Sequence, residues 1–170
     1  MRFRPLLILA AAITAVALPS GLSAEASAKA GATTDGISIV RTFTGWRDAA
    51  SFKRISEYFS GQENLGVQTI LRTHPEQRTG YYFLLRLANA GAPRPVRIQL
   101  QLINQGAAAP ATVVFPTTLQ AGSGVFQLGL TGPEWRDAKS QPVAWHIQIL
   151  DDDQVMASEK SYLWEKPASK

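Results

Sequence analysis

The sequence predicts a mainly β protein: an antiparallel immunoglobulin-like β-sandwich of about seven or eight strands with one short amphipathic helix. Three observations carry that expectation. Apolar and polar residues alternate with period two through much of the chain, which sets one face of each run on a core and the other in water. Clusters of Gly, Pro, Asn and Asp separate these runs at the spacing of short strands. No helical pattern recurs between them, which argues against a parallel α/β fold. The Cys–Trp–Cys spacing of antibody domains is impossible here, since the chain has no cysteine. "Immunoglobulin-like" therefore names an architecture and not an ancestry.

The first residues point to export. Arg2 and Arg4 precede an apolar run from Pro5 to Leu18, broken by Pro19, Ser20 and Gly21 and followed by small residues. That order is the pattern of a secretory signal peptide, assigned to residues 1–24, with cleavage possible up to residue 30. The run is shorter than the roughly 20 residues of a membrane span. The absence of cysteine excludes a lipid anchor at cysteine, structural disulfides and thiol chemistry. Loss of residues 1–24 removes two arginines and no acid, so the formal charge falls from +4 to +2. So small a charge gives no reason to expect a nucleic-acid partner.

Residues 25–35 read as a flexible leader of Ala, Ser, Thr and Gly, 36–165 as a single sandwich domain, and 166–170 as a tail. Asp48 to Phe59 is the one helical segment, with Phe52, Ile55 and Phe59 at helical spacing, Asp48 as cap and Ser60-Gly61 as stop. Its polar face is expected to carry Lys53, Arg54 and Glu57. Val67 to Thr73 and Gly80 to Leu87 flank a loop opened by His74-Pro75 and are expected to form a hairpin. Val96 to Leu102 alternates cleanly. Thr112 to Leu119 is a strand interrupted by Pro116, which sets it at an edge or gives it a bulge; a free edge there could pair with a partner strand. Val125 to Leu130 directs Phe126, Leu128 and Leu130 inward. Val143, Trp145, Ile147 and Ile149 share the inner face of the next strand, and Asp151-Asp152-Asp153 turns it into a last strand ending at Trp164.

Gly80 to Leu87 is apolar on both faces, so Ile70, Tyr82 and Leu84 fall on a nominally outer face that needs a cover. The helix, through Phe52, Ile55 and Phe59, is one candidate cover, and an oligomer or partner interface is the other. No metal or cofactor site is evident. The two histidines, His74 and His146, lack the spacing of a zinc motif. No Ser sits in a Gly-x-Ser-x-Gly elbow, the three aspartates lack EF-hand spacing, and the Gly129–Pro133 stretch lacks a phosphate-loop lysine. Trp46 and Trp135 are the positive argument for a ligand. Trp135 lies in a polar loop beside Glu134, Arg136 and Asp137, where an indole could stack on a sugar or fold back and plug the sandwich.

The function expected from these residues is that of an exported, periplasmic or extracellular, non-enzymatic binding or assembly module. It would be peripheral to a membrane at most, with an envelope protein or glycan as partner. The candidate surface is Ile70, Tyr82, Leu84, Trp46 and Trp135. The alternatives are a carbohydrate-binding module using the loop tryptophans, and a hydrolase with scattered catalytic residues. The short leader, the lack of cysteine and the lack of any Asn-x-Ser/Thr acceptor suggest a bacterial source.

Overall fold

The computed structural model describes residues 36–107, 109–135, 137 and 139–165. The signal peptide and leader expected at 1–35, and the tail at 166–170, lie outside these residues. Eight strands form two four-stranded sheets. They are β1 (Ile37–Arg47), β2 (Thr69–Arg72), β3 (Gly80–Asn89), β4 (Arg94–Ile103), β5 (Ala111–Leu119), β6 (Gly122–Thr131), β7 (Ala144–Asp151) and β8 (Gln154–Lys160). The first sheet runs β1-β3-β6-β2 and the second β5-β4-β7-β8. All pairs are antiparallel except β2 with β6. The structure is thus the expected mainly β sandwich.

The core lies between the sheets. Phe83, Leu85 and Leu87 of β3 and Leu128 and Leu130 of β6 meet Ile98, Leu100 and Leu102 of β4 and Ile147 and Ile149 of β7. Each alternates with an outward neighbour, the period-two rule at work. At roughly 1.5–3 kcal/mol for each fully buried large apolar side chain, this layer is the main stabilising contribution to a chain without disulfides. One open side of the sandwich is bridged where Thr42 on β1 donates to Glu159 on β8 (2.6 Å). Pro116 lies on β5, an edge strand, as its missing N–H requires. Asp152 takes φ 48° in the β7–β8 turn, while Asp151 and Asp153 accept from Arg94 and Arg97.

Several expectations are corrected. Strands β2 and β3 do not form a hairpin, because β6 inserts between them and pairs with both. Thr73 and Thr131 lock the resulting parallel junction: the Thr73 hydroxyl bonds the Thr131 carbonyl (2.8 Å) and receives the Thr131 N–H (2.8 Å). Strand β1 shows no continuous alternation in the sequence. A register shift between Ile39 and Arg41 changes which parity faces inward, so Ile37 and Ile39 are followed on the inner side by Thr42, Thr44 and Trp46. Val143 precedes β7 and is half-exposed instead of inward. The last strand stops at Lys160, and Trp164 lies in a short 3₁₀ turn, Tyr162–Glu165, with its ring 5.4 Å from that of His146.

Candidate functional site

The helix expected over Asp48 to Phe59 is two pieces. Asp48 caps a 3₁₀ turn, Ala49–Phe52, its carboxylate accepting from the Ser51 N–H (2.8 Å). Lys53 and Arg54 are extended, and α1 (Ile55–Ser60) follows, ended by Gly61 at φ 67°, where a glycine accepts the left-handed conformation without strain. The break redirects the apolar residues. Phe52 is buried, whereas Ile55 and Phe59 are 79% and 87% exposed. Of these three side chains, only Phe52 covers the outer face of the first sheet.

That face has two ends. At the covered end Tyr82 lies against Gly129, where a Cβ would meet its ring carbon at 2.5 Å, so glycine is what admits the phenol. The Tyr82 hydroxyl donates to the Arg78 carbonyl (2.7 Å) and accepts from Arg72 Nε (2.9 Å). Phe52 packs on Tyr82 with ring centroids 4.7 Å apart, and the guanidinium groups of Arg47 and Arg72 sit 5.6 and 5.1 Å from the Phe52 ring. Arg72 is not directed to water. It forms a two-pronged pair with Glu63 (2.6 and 2.9 Å), and Arg78 pairs with Glu57 at 2.5 Å. The Arg72 hydrogen bonds hold the Glu63 carboxyl below its ordinary value of 4.5 despite the opposing effect of burial. Burial pushes the Tyr82 phenol above 10.0, with Arg72 opposing. The Glu63 bonds in turn raise Arg72.

The other end is bare. Opposed positions across the strands place Phe43 beside Leu84, Leu84 beside Gln127, and Gln127 beside Ile70 in one row. Arg41, Arg86 and Val125 form the next row. Arg41, Phe43, Leu84, Arg86 and Val125 line a shallow depression, and Phe43 is 55% exposed with Arg41 at 5.4 Å from its ring. Ile70 and Leu84 are half-buried and also border a cleft reaching Phe52 and Arg47. Among the described residues, no salt bridge includes Arg41, Arg47, Arg54 or Arg86.

Of the residues singled out in the sequence, Ile70, Tyr82 and Leu84 do share this face, with Tyr82 as its buried pillar. Trp46 and Trp135 do not. Trp46 stands opposite Tyr81 across β1 and β3 and packs half-buried on the core. Trp135 is 7% exposed, its ring 6.4 Å from that of Tyr81. The loop indole plugs the sandwich, and the sugar-stacking reading loses its platform. Phe43, Arg41 and Arg86 were missed, although Arg41 and Phe43 flank a threonine in a strand whose alternation the β-bulge obscured.

The histidines serve local structure. His74 receives the Thr131 hydroxyl on its carbonyl (3.0 Å), donates its backbone N–H to the same oxygen (2.9 Å), and has its Nδ1 2.7 Å from the Thr131 carbonyl. His146 contacts Gln101 (3.2 Å), and burial, with Lys160 adding to it, lowers its pKa from 6.5. Among the described residues no three His, Asp or Glu side chains gather as a metal site, and no helix is long and apolar enough to cross a membrane.

No protein family matches the sequence, and no curated protein matches it. Among solved structures, an immunoglobulin-like protein from Pseudomonas aeruginosa is similar over 73% of this chain and 93% of its own, at 16% identity and a TM-score of 0.32.

Proposed function

We propose that the protein is an exported, non-enzymatic β-sandwich that binds a protein partner of the bacterial envelope through the bare end of its first sheet. One observation carries the reading: exposed Phe43 and half-buried Leu84 and Val125 line one depression with Arg41 and Arg86, neither of which belongs to a salt bridge among the described residues. An isolated exposed apolar residue needs no explanation, but a contiguous group rimmed by uncompensated cations fits an acidic, partly apolar partner surface. Arginine and aromatic residues are also the side chains that dominate binding energy at interfaces. The leader sequence supports export.

A photo-crosslinking residue at Phe43 tests this, with Val114 on the outer face of the second sheet as the control. The reading expects a discrete protein adduct from position 43 in intact cells and none from position 114. Equal adducts from both positions, or none from position 43, would overturn it.

A further inference from the structure

Helix α1 is built inside out. Glu57 turns toward the body and pairs with Arg78, while Ile55, Tyr58 and Phe59 stand in water at 79%, 76% and 87% exposure. A surface helix of a water-soluble protein does the reverse. Positions i, i+3 and i+4 share one helical face, so the three side chains form a single apolar stripe. The acids nearby are occupied: Asp48 caps the 3₁₀ turn, Glu57 holds Arg78, and Glu63 holds Arg72. Lys53 and Arg54, immediately before the stripe, are exposed and belong to no salt bridge among the described residues.

We propose that α1 seats on an anionic phospholipid bilayer, with Ile55, Tyr58 and Phe59 entering the boundary between headgroups and acyl chains, and Lys53 and Arg54 lying against lipid phosphates. Two observations favour a bilayer over a protein partner. The stripe can bury only about 500 Å², at roughly 150–250 Å² for each aromatic. A stable protein interface needs about 800 Å² from each side. A six-residue helix also lacks the i+7 anchor that groove-binding helices use. Interfacial insertion requires neither, because apolar area and basic charge act together there. Tyr58, with an apolar ring and a polar tip, is the type of residue found at such boundaries.

Because the chain has no cysteine, Phe59→Cys gives a unique site for an environment-sensitive dye, with Val114→Cys as control. The protein is purified as cells produce and process it, then mixed with vesicles of phosphatidylglycerol and phosphatidylcholine or of phosphatidylcholine alone. The expected result is a blue shift at position 59 only, with the anionic vesicles only. Lys53→Gln combined with Arg54→Gln should weaken that binding about tenfold or more. Ile55→Ser should weaken it too, and circular dichroism should be unchanged, since α1 has no buried residue. No shift at position 59, equal shifts at both positions, or binding indifferent to the charge variants would overturn the proposal. So would self-association in sedimentation that Phe59→Ser abolishes, which would assign the stripe to a second copy of the chain.

Discussion

The two ends of one sheet face carry similar residues and do opposite things with them. At the covered end, Phe52, Tyr82, Arg72 and Glu63 saturate one another: aromatic on aromatic, guanidinium over ring, carboxylate on guanidinium. At the bare end, Phe43 and Leu84 stand beside Arg41 and Arg86, and among the described residues no ring stacks on Phe43 and no salt bridge includes either arginine. The same chemistry is thus closed into structure at one end and left open at the other. The difference comes from seven residues, Asp48 to Arg54: the Asp48-capped turn brings Phe52 down onto Tyr82, and the extended Lys53 and Arg54 then carry Ile55 and Phe59 away from the sheet. The contrast separates what stabilises the sandwich from what is available to a partner.

Substitutions should follow that division. Phe52→Ala should cost the most, about 3 kcal/mol, because it uncovers Tyr82 and removes the ring between two guanidinium groups. Urea unfolding of the purified variant measures it. Arg72→Ala should cost about 2–3 kcal/mol in the same assay, since it strands Glu63 and deprives the Tyr82 hydroxyl of a donor. Gly129→Ala should cost about 1–3 kcal/mol, as the new methyl must push the Tyr82 ring aside. At the bare end, Phe43→Thr keeps a strand-forming residue and should change stability by no more than about 0.5 kcal/mol.

Acid titration sharpens the same contrast. Glu63 has a folded pKa below its unfolded value of 4.5, so its contribution is fully present above 4.5 and is lost as pH falls through the lower folded value. His146, also lowered, makes the unfolded chain the stronger proton binder, so stability should begin to fall below pH 6.5. Unfolding free energy measured from pH 7 to 3 should therefore show two descents. His146→Gln should remove the upper one and Arg72→Ala should shrink the lower one. A profile unchanged by either substitution would contradict these assignments.

Much of the sandwich was legible in the sequence because its rules are local. The alternation of Val96–Leu102 and of Phe126–Leu130, the edge role of Pro116 and the aspartate turn each depend on a few adjacent residues. Strand β1 was not, because a single bulge at Ile39–Arg41 changes the inward parity and puts threonines on the core side. Nor was the parallel β2–β6 pair: the His74–Thr79 loop signals that the chain turns, but which strand lies beside β2 depends on residues more than 50 positions away. The apolar outer face of β3 correctly marked a place where something must pack. Helical spacing alone assigned it Phe52, Ile55 and Phe59, and two extended residues, Lys53 and Arg54, left only Phe52 in contact. Trp135 looked like a ligand platform because its loop is polar, whereas its indole is held by Tyr81 on a distant strand.

The most direct test of the division between the two ends is charge reversal at the bare one. Arg41→Glu combined with Arg86→Glu should abolish the protein adduct formed from a crosslinker at Phe43 while leaving the unfolding free energy within about 0.5 kcal/mol of the parent. Persistence of the adduct would contradict the account, and so would a loss of stability as large as that of Phe52→Ala.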